Sequence, residues 1–583
     1  MNIPMRMRFL ASLLSFASLL LLQQAPAVAS DASLADIGRR IYREGMLADG
    51  RPLEGVGQAG VTFSGAAAAC VTCHRRSGYG SSEGPIEVRS ITGPALFGER
   101  PAPPPPGTLG INARVVGQNL HGARPASTAA AVASLENSER LRQARAVQLS
   151  GGRVRPPYDD ALLARALSEG VDVTGRRMNA TMPRFRLDAA SQAALTAYLR
   201  GLSSEAPTGV TSEAVHFAIV VQPGVDPSRR DTFIQVLRTY LEDRNTWQIP
   251  EKRREQTGQV TLGRTSRRWE LDVWSLEGAP GTWGPQLEAF QRAKPAFALA
   301  GGLGDAGWQP IHDFSEREGI PCIFPLTPLP ATGGPSFYTV YLTRGVLLEA
   351  DVLAQFLNRQ DRHRPVVQVR RQGDAEAAAA SDALRAADPG AGVVDEQVPA
   401  TPDVAYWERL RDQHPGADFV LWLRPADLVA SSTLLQSNAA ANAVYLSSAL
   451  DARLARGPGR DAAGRLRLVH PQELPAQRDA RLGLVRTWLR NHRIPPGDEE
   501  LQFEAYLVAT VVGMLNYHAV DAISRELLLE TMEHRLGTGL EVTRYPHISL
   551  GPGQRFASKG AYIVPWDAVS SLAGPPLSEW ITP

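Results

Sequence analysis

The five residues Cys70-Val71-Thr72-Cys73-His74 constrain the chain more than any other stretch. Two thiols one helical turn apart, followed at once by a histidine, form the C-x-x-C-H string of a covalent haem c site. Each thiol can add to a vinyl group of one porphyrin, and the histidine then reaches the iron from the proximal side. C-x-x-C is also half of a zinc site, but that reading needs two more soft ligands nearby. The only other cysteine is Cys322, far along the chain. The string is therefore read as one haem c, attached at Cys70 and Cys73 and ligated by His74.

The 583 residues are enough for two or more domains, and 43% apolar content allows sizeable cores. Residues 1–29 read as a secretory signal. Arg6 and Arg8 form a basic start, Phe9 to Leu22 an apolar core, and Ala27-Val28-Ala29 a small-residue cleavage site. No later apolar run is long enough for a membrane span. A periplasmic protein, cut after Ala29, is expected. With two of three cysteines committed to haem, no disulfide framework is available. Cys322, in Pro321-Cys322-Ile323-Phe324-Pro325, reads as a buried thiol.

The net charge of +1 excludes any argument for nucleic acid. Charge is uneven, however. Residues 30–205 hold 21 arginines, no lysine and 16 acidic residues. Such a module can steer toward an acidic redox partner. Compositional bias explains the same count, because the whole chain has only Lys252, Lys294 and Lys559.

Asp36 to Gly45 reads as a helix with Gly38 and Tyr42 on one face, and Ala189 to Leu202 as a second, with Leu195, Tyr198 and Leu199 on one face. Beside the C-x-x-C-H string, this pairing resembles class I cytochrome c, whose first and last helices cross with a glycine against an aromatic. Gly93-Pro94-Ala95-Leu96-Phe97-Gly98 resembles that family's loop, in which a proline carbonyl accepts a hydrogen bond from the proximal histidine. Pro94 is one candidate and Pro85 the other. The stretch Met178-Asn179-Ala180-Thr181-Met182-Pro183-Arg184-Phe185 resembles the loop carrying the axial methionine. Met182, directly before proline, fits that position; Met178 and His121 are the alternatives. Two insertions, Met46 to Ala69 and Pro101 to Pro157, make this module longer than compact cytochromes. The second contains a stiff proline run and a candidate helix over Ala126 to Gln148.

Beyond the small, polar stretch Ser203 to Thr211 the pattern alternates. Apolar strands are expected at His216–Gln222, Trp269–Trp274, Ala296–Ala300, Pro321–Pro325 and Phe337–Leu342, with helices at Ser228–Asp243, Pro285–Ala293 and Gln309–Glu318. Strands at Val366–Val369, Asp418–Leu423, Ala443–Leu446 and Arg467–Val469 follow, then a long helix from Gln502 to Ala522. Alternation of this kind implies parallel sheets with right-handed crossovers, here in two lobes.

Ala298 to Gly304 with Glu318-Gly319-Ile320-Pro321, the crossing strand Phe337–Leu342, and Gly551 to Val564 together resemble type I periplasmic solute-binding proteins of the branched-chain amino acid class. The resemblance implies a ligand cleft between lobes, at the carboxyl ends of the strands. In that family hydroxyls and backbone amides after the third strand hold an amino acid. Here that turn is Gly301 to Trp308 and has no Ser or Thr. Gly302, Gly304, Asp305, Trp308, Trp274 and Tyr341 are the cleft candidates, with the aromatics as walls and Asp305 facing a cationic group.

The expected organisation is a signal peptide over 1–29, an all-α cytochrome c domain with insertions over 30–205, a linker over 206–212, a two-lobed α/β domain over 213–575 and a tail over 576–583. The expected function is one-electron transfer through a haem ligated by His74 and Met182, with a periplasmic dehydrogenase or another cytochrome as redox partner. The fused domain would take a small-molecule solute or a partner. The alternative is a haem-containing receptor whose solute binding follows haem redox state. No P-loop, H-E-x-x-H or G-x-S-x-G string suggests an enzyme.

Overall fold

The computed structural model describes residues 31–83, 86–101, 154–246, 267–360, 364–387, 392–428, 443–450, 465–517, 523–537, 543–566 and 575–583. The signal peptide, Pro85, His121, most of the proline run and the helix expected over 126–148 lie outside the described residues. Internal contacts divide the chain into two units: residues up to Thr72 together with Pro157–Gly201, and Cys73–Pro156 together with everything from Leu202 onward. One boundary passes through the cysteine string and another falls between Gly201 and Leu202.

In the first unit, α1 (Asp31–Glu44) opens the fold. Strands β1 (Glu54–Val56) and β2 (Thr62–Ser64) follow, then α2 (Asp160–Ser168), β3 (Arg184–Arg186) and α3 (Ala189–Gly201). The expected crossing of first and last helices is present. A Cβ on Gly38 would stand 2.0 Å from the Ala194 carbonyl oxygen, so only glycine permits the approach. Tyr42 and Tyr198 meet beside it with ring centroids 5.2 Å apart. The unit is not all-α, however. β1 pairs antiparallel with both β2 and β3 in a three-stranded sheet. Three-residue strands in a glycine-rich stretch leave too short an alternation to read as strand from sequence.

The second unit contains two parallel-sheet lobes. In the first lobe β4 (Ala214–Val221), α4 (Pro227–Thr246), β5 (Arg268–Ser275), α5 (Trp283–Ala293), β6 (Ala298–Leu303), α6 (Gln309–Glu318), β7 (Cys322–Ile323) and β8 (Thr339–Val340) follow in turn. The sheet order is β8-β7-β6-β4-β5, all parallel. Continuous apolar strands such as Ala214–Val221 are what a sheet covered on both faces requires.

The chain then crosses to the second lobe through α7 (Val346–Asn358). There β9 (Val366–Arg371), α8 (Ala375–Ala386), β10 (Val393–Val398), α9 (Val404–Gln413), β11 (Asp418–Trp422), β12 (Val444–Ser447) and β13 (Leu466–His470) follow. Helices α10 (Pro475–Asn491), α11 (Glu499–Val512) and α12 (Arg525–Leu536) come next. Their apolar residues join the first-lobe core, where Leu507 and Val511 of α11 share a cluster with Phe233 and Leu237 of α4. A last crossing delivers β14 (Tyr562–Pro565), which pairs antiparallel with β13 and completes the order β10-β9-β11-β12-β13-β14. Helices α7 and α8 cover one face of this sheet, and α9 covers the other.

Candidate functional site

The carboxyl ends of both sheets converge on two loops. In the first lobe it is the turn Gly304–Trp308 after β6. In the second it is Arg424, after β11. The Arg424 Nη2 donates to the Asp305 carbonyl oxygen at 3.4 Å and to Glu376 Oε2 at 3.2 Å, while Nε donates to Asp374 Oδ2 at 3.2 Å. Asp374 also caps α8, accepting the Ala377 amide at 3.0 Å. Burial pushes the Glu376 carboxyl up to about 7, against the pull of Arg424. Arg371, at the end of β9, is likewise held by its own lobe: it pairs with Asp427 and donates to the Pro399 and Ala400 carbonyls.

The turn itself is satisfied from within. Gln222, at the end of β4, accepts the Ala306 amide at 3.0 Å through Oε1. The Gly304 amide donates to the Leu326 carbonyl at 3.3 Å and the Trp308 amide to that of Leu329 at 3.2 Å. Three of the turn's amides, those of Gly304, Ala306 and Trp308, are thus committed. Gly304 is glycine for a packing reason, since a Cβ would stand 2.0 Å from Gln222 Oε1.

The aromatic candidates are placed in the core rather than on the cleft. Trp308 is fully buried, and a Cβ on Gly302 would meet its ring at 2.5 Å. Trp274 is buried with its ring stacked on Phe290, centroids 5.7 Å apart. Tyr341 is buried between Phe556 and His312. Its hydroxyl accepts the Ala331 amide and hydrogen-bonds His312 Nδ1, each at 3.2 Å, and His312 Nε2 donates to the Pro335 carbonyl. Burial pushes the Tyr341 hydroxyl well above its ordinary range, and the Cys322 thiol up to about 12. Of the six cleft candidates only Asp305 is exposed. Arg424, Asp374, Glu376 and Gln222 were missed: each acts through a partner distant in sequence, and only the helix-capping Asp374 carries a local signal.

Around the cysteine string, residues Val71–His74 form one helical turn. Cys70 is half-buried and Cys73 exposed. The His74 Nδ1 donates to the Arg89 carbonyl at 3.0 Å. Arg89 therefore takes the role expected of Pro94, whose own carbonyl accepts the Gly98 amide at 3.2 Å within the short helix Gly93–Phe97. Burial lowers the His74 pKa, opposed by the Arg89 bond. This donor set fits the proximal side of a haem: two thiols one turn apart and a neutral imidazole oriented through Nδ1. Met182 lies in the first unit, where its amide donates to the Asn179 carbonyl and its own carbonyl accepts from Arg184.

The electron-carrier reading is corrected on this point. Among the described residues no group of three or more His, Cys, Asp or Glu side chains is placed to hold a metal ion. The electron-transfer function, its redox partner and the receptor governed by haem redox state do not stand. Among the described residues, no helix is long and apolar enough to cross a membrane.

No protein-family model and no curated protein matches the chain. Solved structures do. A fatty acid ABC transporter substrate-binding protein from Thermomonospora curvata is 15% identical over 65% of this chain and 95% of that one, with TM-score 0.45. A branched-chain amino acid ABC transporter from Thermus thermophilus with bound valine is 12% identical over 64% and 97%, with TM-score 0.45. An ABC transporter substrate-binding protein from Desulfitobacterium hafniense in complex with Leu is 16% identical over 63% and 100%, with TM-score 0.40. The chain is similar to solute-binding proteins of ABC transporters, and its second unit is a two-lobed α/β fold with parallel sheets.

Proposed function

We propose that the second unit is a periplasmic receptor that binds a small solute between its lobes. The observation that carries this reading is the contact of Arg424 with the Asp305 carbonyl. It brings the strand ends of the two lobes to one place, where open α/β sheets take their ligands. The chemistry there is Arg424 with Asp374 and Glu376, and it differs from a hydroxyl-and-amide clamp. A solute carrying one anionic group, which competes with these carboxylates for the guanidinium, suits the site better than a free α-amino acid. Thermal-shift and calorimetric titration of the full chain against valine, leucine, a short fatty acid and a dicarboxylate tests this. Binding of an anionic member that is lost in Arg424→Ala supports it. No binding by any of them at millimolar concentration counts against it.

Haem c on Cys70 and Cys73 is a separate proposal, without an electron-transfer role. It is favoured by the Nδ1 bond of His74 to the Arg89 carbonyl. Intact mass spectrometry of protein exported from a host that matures c-type haem should show one added haem, absent from the Cys70→Ala/Cys73→Ala variant. An unmodified mass would overturn it.

A further inference from the structure

The residues that follow His74 are built into the hinge of the two-lobed unit. The two strands that cross between lobes lie side by side. Tyr341 donates its amide to the Arg555 carbonyl at 2.8 Å, the Ala557 amide returns to the Tyr341 carbonyl at 3.0 Å, and the Ser558 amide reaches the Leu342 carbonyl at 2.7 Å. Helix α12 flanks this pair. Glu526 accepts from the Tyr338 hydroxyl at 2.6 Å, and Glu533 accepts from Arg555 at 2.8 Å. Gly345, which opens α7 beyond the first crossing, holds φ at +57° with the Pro328 carbonyl where a Cβ would sit, so the crossing ends in a fixed bend.

The segment Arg75–Ser77 grips the same elements. The Arg76 guanidinium stands 3.8 Å from the centroid of the Phe337 ring, and that of Arg555 stands 4.5 Å from it. Phe337, at the start of the first crossing strand, thus takes one arginine from this segment and one from the return crossing strand. Arg75 reaches Glu533 at 3.8 Å, the carboxylate that Arg555 uses. Ser77 donates its amide and hydroxyl to the two oxygens of Glu530, at 2.9 and 2.5 Å. Behind it, Ser203 Oγ donates to the Ser77 carbonyl at 2.7 Å. Arg75 holds φ at +64°, a left-handed backbone that a side-chain-bearing residue adopts at a cost. The docked turn is maintained against that strain.

We propose that Arg75-Arg76-Ser77 is a conformational clamp that holds the crossing strands against α12 and so restrains lobe opening. The coupling runs through Phe337 and Glu533, each with partners on both the clamp and the fold, and through Glu530 on α12. By reciprocity, a change in lobe opening alters the clamp equally.

Hydrogen exchange of the full chain, read by mass spectrometry, tests this. In Arg76→Ala, peptides covering 337–342 and 554–558 are expected to exchange about fivefold faster, the weight of one partly buried cation–π contact. The lobe-core peptide covering 444–447 should be unchanged. Faster exchange confined to residues 73–91, with both crossing peptides as in wild type, overturns the proposal. If Arg76→Ala also loosens 444–447, the fold as a whole has weakened and Glu530→Gln decides. Faster crossing peptides in that variant uphold the clamp, and unchanged ones overturn it.

Discussion

Arg525 Nη2 donates to both the carbonyl and the hydroxyl oxygen of Thr208, at 3.0 and 2.7 Å. The same guanidinium donates to the carbonyls of Ala296, Phe297, Glu318 and Gly319. One buried side chain at the start of α12 therefore ties the stretch expected as a loose linker to the ends of β6 and α6. Burial lowers its pKa to about 10, opposed by Glu526, Tyr338 and Glu318. Replacing Arg525 with Ala leaves several of those carbonyls without a donor and is expected to cost about 3 kcal/mol in urea unfolding. A loss below about 0.5 kcal/mol would mean that Thr208 is not held here.

Trp308 separates a core position from a cleft wall. Trp308→Ala is expected to destabilise the second unit by about 3–5 kcal/mol, because the cavity would form beneath Gly302 in a packed core. A wall residue would leave unfolding nearly unchanged and alter solute affinity alone.

Glu349, in the first turn of α7, is fully buried. It accepts from Ser448 Oγ at 2.5 Å and from the Ala449 amide at 2.9 Å, and burial pushes it up to about 7. The folded protein thus holds this proton to higher pH than the unfolded chain does. The contribution is complete below pH ~4.5 and is lost as pH rises through about 7, at most ~3 kcal/mol in all. Glu349→Gln should flatten the fall in stability between pH 5 and 8 in denaturant titrations at each pH. An equal slope in variant and wild type would place the titration elsewhere.

Arg424→Ala removes the inter-lobe contact and leaves Asp374 and Glu376 facing each other. With the Arg424 side chain about one-third exposed, a stability loss near 1 kcal/mol is expected. The larger effect is on shape: small-angle scattering should report a wider second unit. An unchanged profile would show that other contacts hold the lobes.

The α/β unit was legible because its core strands are unbroken apolar runs. Helix Gln309–Glu318 falls where expected, closed by Gly319 with φ at +61°. Val393–Val398 was missed, since Asp-Glu-Gln in the middle of an edge strand reads as loop. Residues Gln502 to Ala522 were expected as one helix, but regular α-helix ends at Val512 and a tighter turn follows over Gly513–Tyr517. The core and the cleft both favour tryptophan, so residue type alone could not assign Trp274 or Trp308 to either. The clamp was invisible for another reason: Ser77 and Glu530 are far apart in sequence, and nothing local marks either as a partner of the other.

The antiparallel strand Tyr562–Pro565 has a kinetic consequence. Strands β9 to β13 precede three helices of the other lobe in the chain, and β13 has no partner on its outer side until this late strand has been made. During synthesis the edge exposes unpaired backbone donors and acceptors, the feature that invites strand addition from another chain. Completing it is a contact of high sequence separation, slow to form because a long loop must close first. The second-lobe sheet is therefore complete only once nearly the whole chain has been made.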